Sequence, residues 1–418
     1  MKCSPRILIV IQNAPLQRDS RVQRQCLALL RSGYRVCVAC PTSDLPVAPE
    51  LARVALYSFP APPPGASKLG FLYEYAYSLV AIAIMLVRAA RQDGLDVIQV
   101  CNPPDLLFLV ASPFRLLGTR VVFDHHDPSP EMYEARFEGT NGVLHALLLL
   151  FERMTFASVD HVISTNESLR EFALRRGHVP PEGVTVVRNA PSLAQASRCR
   201  PDVAMRGGRR FMGCWLGDMG PDDGVDLALR AIEYQIRELG RTDCQYVFLG
   251  DGELRSDLEA LAAELGIEPW VVFPGWVSHD VLARYLSTAH IALAPDPRNS
   301  RSDASTTMKI MDYMAFNVPI VAYEVRETRV SAGPAALYAE PGHVRGFATL
   351  MEQLLESEDQ RRVMGQIGRR RFEESLAWDH QERIYTGLFE ELLASPRRRH
   401  LRRSQTHTVR RPRSTVGR

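Results

Sequence analysis

Short unbroken apolar runs alternate along this chain with longer stretches whose apolar residues recur every three or four positions. The runs Arg6–Ile11, Arg35–Ala39, Val54–Phe59, Asp96–Cys101, Arg120–Asp124, Asp160–Thr165 and Val184–Val187 have the length and continuity of strands buried on both faces. Amphipathic segments lie between most of them. In Arg21–Ser32, for example, Val22, Cys26, Leu29 and Leu30 share one face and Gly33 closes the helix. Such alternation predicts an open parallel sheet with helices on both sides. From Ala190 to Arg210 the periodicity stops, and Pro, Ser, Arg and Gly mark a linker. A second series then predicts strands at Phe211–Leu216, Tyr246–Leu249, Val271–Phe273 and His290–Ala294, with helices at Gly224–Leu239, Leu254–Leu265 and Val281–Leu286. The expected fold is α/β, with two Rossmann-like doubly wound domains at 1–189 and 211–378 joined by a linker at 190–210. A C-terminal helix at 379–394 is expected to pack back toward the first domain, followed by a basic, disordered tail at 395–418.

Asp303–Val321 stands out within the second series. Ser305, Thr306 and Thr307 read as helix N-caps, Met308, Ile310, Met311, Met314 and Ala315 as an apolar face, and Asn317 and Pro319 as the stop. Lys309, Asp312 and Tyr313 fall at i, i+3 and i+4, along one polar edge. Free N–H groups at a helix start, beside a lysine and an acid, suit a sugar diphosphate. An ordinary capped helix is the other reading of the same residues.

Two stretches are more apolar than their neighbours. Leu79–Val87, extending back through Tyr77, Tyr75 and Phe71, approaches the length of a membrane span, but Glu74 lies in the only window long enough. A buried or membrane-surface helix is therefore expected. Leu144–Phe151 is the second such patch. The charge is also unevenly placed. The net charge is +2, yet Pro396–Arg418 carries nine arginines and no acid, which leaves about −7 on the rest. Eight scattered cysteines, several within strands, read as structural thiols of a reducing compartment. Cys37 and Cys40 form a C-x-x-C with no second pair to complete a zinc site.

Ligands of open α/β sheets bind beyond the carboxyl ends of the strands, so the loops there hold the candidate chemistry. After the first strand comes Gln12–Ser20, with Asn13 and Arg18; it lacks the G-x-G-x-x-G fingerprint, which argues against a dehydrogenase. Asn102-Pro103-Pro104-Asp105 follows another strand. The densest polar cluster is Asp124-His125-His126-Asp127-Pro128-Ser129-Pro130-Glu131. Acceptor recognition or proton transfer, a structural loop and a metal site all remain open for it, although adjacent histidines on an extended chain point to opposite sides. In the second half Leu216–Gly224 contains Gly217, Gly220 and the acids Asp218, Asp222 and Asp223. Gly250-Asp251-Gly252 is a further glycine turn, and Phe273-Pro-Gly-Trp276-Val277 places an aromatic at a strand end. Arg326 and Arg329 supply cations after the strand that begins at Ile320.

Taken in this order, the turns resemble those of the retaining nucleotide-sugar glycosyltransferases of family 4, which have the GT-B fold. The likeness runs from Arg6 to Leu393. It is carried by Lys309-Ile-Met-Asp-Tyr-Met-Ala with Pro319-Ile-Val-Ala, by Gly250-Asp-Gly, and by Phe273-Pro-Gly-Trp-Val. Asn102-Pro-Pro-Asp and the Asp124–Glu131 segment look like acceptor loops of the subgroup that builds bacterial surface polysaccharides. The resemblance implies two domains facing across a cleft, with Asp312 holding the donor ribose. The family's sugar-contacting acid falls at Ala304, with Asp303 one position away, and the glycine loop is acidic where the family places cations.

The implied donor site comprises Gly217, Gly220, Gly250, Gly252, Trp276, Val277, Ser305, Thr306, Thr307, Lys309, Asp312, Arg326 and Arg329. Asn13, Arg18, Asn102, Asp105 and Glu131 fall on the acceptor side, and His125, His126, Asp127, Asp303 and Lys309 are the catalytic candidates. The expected reaction is retaining transfer of a sugar from a UDP- or GDP-sugar to a lipid-linked or polysaccharide acceptor. It serves cell-surface polysaccharide (exopolysaccharide) or glycoconjugate biosynthesis and needs no cofactor, metal or nucleic acid. A nucleotide-sugar epimerase and a catalytically degenerate binding member are the alternatives. The basic tail suits an anionic leaflet, which implies a cytoplasmic protein peripheral to the inner face of the cell membrane.

Overall fold

The computed structural model describes residues 4–61, 68–136 and 142–395. The first sheet contains β1 (Arg6–Val10), β2 (Arg35–Pro41), β3 (Ala55–Phe59), β4 (Val97–Cys101), β5 (Arg120–His125), β6 (His161–Ser164) and β7 (Val184–Val186). Every pairing is parallel, and the order is β3-β2-β1-β4-β5-β6-β7. The second sheet contains β8 (Phe211–Leu216), β9 (Cys244–Leu249), β10 (Val271–Gly275), β11 (Ile291–Ala294), β12 (Ile320–Tyr323) and β13 (Ala336–Ala339). It is also parallel, in the order β10-β9-β8-β11-β12-β13. In each sheet the strand order reverses after the first strand built, which opens a crevice between β1 and β4 and another between β8 and β11.

The apolar runs become the sheet interiors. β1 and β4 are buried at every position, as full cover by helices requires. Helix Lys68–Asp93 turns Ile82, Met85, Leu86 and Ala89 into one core layer with Phe123 and Val162. The last helix, Trp378–Ala394, packs Trp378, Tyr385, Leu388 and Phe389 among Ile9, Val22 and Leu29 of the first domain. The described cysteines are all free, and all but Cys199 are buried.

One element departs from expectation. Asp303–Ala315 forms two helices, Ser300–Ala304 and Met308–Ala315. Asn299 and Ser302 make a reciprocal capping box that starts the first helix early. None of the three hydroxyl residues caps the second helix. Thr306 Oγ1 instead donates to Glu327 Oε2 at 3.2 Å, while Ser305 Oγ and Thr307 Oγ1 are buried without partners.

Candidate active site

The carboxyl ends of β1, β5 and β6 face the start of helix Met308–Ala315 across a cavity of about 300 Å³. Ala14, Arg18, Asp19, Ser20, Arg21, His126, Asp127, Thr165 and Asn189 line it from the first domain, Ser305 and Thr306 from the second. Polar contacts join the two walls. Asn166 Nδ2 donates to Ala304 O at 2.8 Å and to Thr306 Oγ1 at 3.2 Å, and Ser168 Oγ donates to Glu327 Oε1 at 2.5 Å. A second cavity of about 450 Å³ lies wholly in the first domain, where Gln12, Asn13, Thr42, Ser43, Asp44, Glu74 and Ser78 surround it. Arg18 lines both cavities. Its guanidinium makes no ion pair or hydrogen bond among the described residues.

The histidine pair divides as the pleat dictates. His126 faces the cleft, with Nε2 2.9 Å from Asp124 Oδ2 and 3.1 Å from Arg21 Nε. His125 points into the core, fully buried, stacked on Phe123 at 5.3 Å and edge-on to Phe156. Burial, with Arg176 nearby, pushes its imidazole down to about 3, so it is neutral and remote from the reaction. The expectation for His125 as a catalytic group is corrected here: the strand continues through residue 125, and alternation sends that side chain inward.

Three acceptor-side expectations are corrected in the same way. Asn102 is a clasp: its amide donates to Asp105 Oδ1 and Asp127 O, and its Oδ1 accepts from the backbone of His126. Asp105 is buried beneath it, and desolvation lifts its carboxyl to about 6. Glu131 pairs with Arg176 at 2.9 Å. All three shape the His126–Asp127 loop from behind. Asn13 and Arg18 are the acceptor-side candidates that reach a cavity.

On the donor side, Lys309 is buried rather than open to the cleft. Its Nζ lies 2.8 Å from Asp296 Oδ1 and 3.2 Å from Asp223 Oδ1, over the Trp215 ring. Burial works against its charge, but the two acids hold the ammonium above its ordinary range. Asp223, the more distant partner, is held above the usual carboxylate range by burial and by Asp296. Asp222 is taken by Arg301 at 2.7 Å. The acids of the glycine loop therefore fasten it to the segment 296–309. Tyr313 completes the fastening, donating to Leu293 O at 3.0 Å and accepting from Leu216 N at 2.9 Å.

Gly250 and Gly252 serve that same packing. A Cβ on Gly250 would stand 1.8 Å from Gly217 O, and one on Gly252 2.5 Å from Met219 N. Both glycines are spent on chain-to-chain approach. Trp276 is 85% exposed at the end of the outer strand β10, and Val277 packs at the edge of the second core.

Asp312 faces the other domain. Burial lifts its carboxyl to about 7, partly offset by the Arg24 guanidinium. Arg24 in turn donates to Asn189 Oδ1 at 2.5 Å. Asp303 is corrected: one oxygen accepts from Arg326 N, capping the helix Arg326–Ala332, and the other pairs with Arg298. Arg326 and Arg329 are corrected too, since they bind Glu171 and Glu324 on the surface. Ala304 is 3% exposed and sealed by Asn166.

The sequence reading passed over Arg21, Thr165 and Asn189 in the cleft and Asp296 under Lys309. Thr165 follows β6 and Asp296 follows β11, so the rule that ligands sit at strand ends held the signal for both. Cys101, Asp124 and His126 bring ligand atoms within 4.8 Å of one another. Arg21 already occupies both oxygens of Asp124, at 2.8 and 3.3 Å, so the donor set is committed to a guanidinium.

Two family profiles match the chain, the glycosyl transferase 4-like domain over residues 19–190 and glycosyl transferases group 1 over 210–357. The 2-deoxystreptamine glucosyltransferase of Streptomyces kanamyceticus is 23% identical over 290 residues, 66% of this chain and 73% of that one. The alpha-D-kanosaminyltransferase of the same organism is 27% identical over 154 residues, 36% of this chain and 38% of that relative's length. Sucrose-phosphate synthase of Thermosynechococcus elongatus superposes with a TM-score of 0.76 at 17% identity, covering 94% of this chain and all of that one. HepE of Anabaena, solved with UDP and glucose, superposes with a TM-score of 0.68 at 14% identity, over 93% and 99% of the two chains. These likenesses establish the GT-B architecture. Since each half is matched by a profile of one enzyme class, the chain is a glycosyltransferase and belongs to the family 4 type.

Proposed function

We propose that the protein transfers a sugar from a UDP- or GDP-sugar to a hydroxyl of a lipid-linked or polysaccharide acceptor. The transfer retains anomeric configuration, needs no divalent metal, and serves cell-surface polysaccharide or glycoconjugate assembly. The observation that carries this reading is the shared cavity, which sets Ser305 and Thr306 opposite Arg18, His126 and Asp127. In it the diphosphate lies against the amides that open helix Met308–Ala315, whose dipole favours negative charge there. Arg18, whose guanidinium has no ion pair or hydrogen bond among the described residues, supplies the cation. The anomeric C–O bond to the β-phosphate breaks, the acceptor oxygen bonds to that carbon, and its proton passes to the departing phosphate. Charge developing on that phosphate is met by groups already in place. His126, held by Asp124 and Arg21, orients the acceptor hydroxyl together with Asp127.

HepE, solved with UDP and glucose on the same fold, supports the choice of donor class. The second cavity, joined to the first through Arg18, is large enough for an acceptor sugar and supports transfer over epimerisation. The test incubates the full chain with UDP- and GDP-sugars, following thermal stability and nucleotide release with and without a polyprenyl-phosphate-linked sugar or oligosaccharide acceptor. Stabilisation by one nucleotide and acceptor-dependent release are expected. If no nucleotide stabilises the protein, the donor assignment is wrong; if an epimerised donor forms without acceptor, the enzyme is an epimerase.

A further inference from the structure

Helices Lys68–Asp93, Phe108–Leu116 and Val143–Ser158 lie side by side over one face of the first sheet. Their inner residues, among them Ile82, Ala111 and Phe156, join the core beneath. Their outer faces are unlike an ordinary protein surface. Helix Lys68–Asp93 presents Val80, Ile84 and Val87 at 62, 47 and 39% exposure. Helix Val143–Ser158 presents Leu147, Leu150 and Met154 at helical spacing. Leu116 and Leu117, at the end of the middle helix, are 90 and 82% exposed. Among the described exposed residues of the three helices there is no acid, while Arg88, Arg91 and Arg153 are present. Contiguous apolar surface of this extent marks an interaction site.

We propose that this face docks on an anionic lipid surface. The position of Ser395 decides the occupant. Arg120, three residues past Leu117, donates to the carbonyl of Ser395 at 2.7 Å, so the last described residue is fixed beside the apolar face. The next twenty-three residues carry nine arginines and no acid. Apolar groups flanked by a dense positive charge match a bilayer with anionic head groups, where insertion and Coulomb attraction add. Helix Tyr73–Gln92 is long and apolar enough to cross a membrane, but a third of it is buried on the sheet, where Ser78, Ile82 and Leu86 hold it. It therefore lies along the surface. The same helix lends Glu74 and Ser78 to the second cavity, so docking brings that opening to the level of the head groups.

The test is flotation of the full chain with phosphatidylcholine vesicles, with and without phosphatidylglycerol. Binding is expected only with the anionic lipid. The triple variant Val80→Glu, Ile84→Glu, Leu147→Glu should weaken it roughly tenfold or more while keeping its melting temperature, because all three positions are exposed. Removing residues 396–418 should weaken binding and flatten its salt dependence. Wild-type chain that stays off anionic vesicles, or a triple variant that floats like wild type, overturns the proposal. So does a dimer that the triple variant dissolves, since the face would then be a self-interface.

Discussion

The two sheets open the same crevice, and each crevice is closed by buried ions, but the closures differ in completeness. Between β1 and β4, Asp124 accepts from Arg21, Gln25 and Gln99, and Tyr385 reaches in from the last helix to donate to Gln99 at 2.7 Å. Burial alone would raise that carboxyl; Arg21 and His126 instead hold it well below the usual range. Between β8 and β11, one lysine serves two acids, and Asp296 Oδ2, Ser305 Oγ and Thr307 Oγ1 are buried without a hydrogen-bond partner. A finished network fixes geometry, whereas an under-satisfied one can be rearranged by a ligand that brings the missing partners. The closure around Asp124 is thus the fixed part of the cleft wall, and the closure around Lys309 the part that a ligand can rearrange.

The sharpest way to break this contrast is a pair of substitutions at the two closures. Asp124→Asn leaves Arg21 buried without its charge partner and should cost about 3–5 kcal/mol of stability by denaturant unfolding. Lys309→Gln should cost less stability, because Asp223 and Asp296 can share a proton. It should lower kcat/KM by roughly 100-fold, since the glycine loop and the helix start lose their fastening. Equal stability losses would erase the distinction between the two closures.

His126→Ala should reduce kcat by about 100-fold, whereas His125→Phe, an apolar exchange in an aromatic pocket, should keep activity within about threefold. Comparable losses at both positions would remove His126 from the cleft. Asp312→Asn should weaken nucleotide binding about tenfold, the worth of one charged hydrogen bond. Because the free carboxyl titrates near 7, wild-type affinity should fall as pH drops through about 7, and the Asn variant should lack that step. Isothermal titration at several pH values reads both effects.

A pH-dependent effect on stability alone is expected at Glu152, which burial lifts to about 8 despite Arg176. The folded state keeps a proton that the unfolded chain releases near 4.5, so this residue lowers stability progressively as pH rises between those values. Glu152→Gln should raise the melting temperature at alkaline pH and leave it unchanged in acid.

Strand positions and the two-domain plan were legible because continuous apolar runs and 3.6-residue periodicity act over a few residues. Much of the site was not, since its logic is tertiary. Alternation predicted that one of the two histidines turns inward, but which one depends on where β5 stops. Asp222 and Asp223 read as acids where the family places cations; only the fold reveals Arg301 and Lys309 as their partners. Asp303 stands one position from the acid expected at 304, yet a capping box four residues earlier turns it toward Arg298 and Arg326. Arg18 was legible as a polar-loop cation, but not as the residue shared by two cavities.

Tyr385 and its neighbours on the final helix complete a core whose first strand begins at Arg6. The domain translated first is therefore finished last. On the ribosome, the first sheet waits with an open flank until the helix beyond the second domain has emerged, while the second domain can close on its own sequence. A cut in the linker would not release two independent domains, because the first domain would lack a helix that follows the second in the chain.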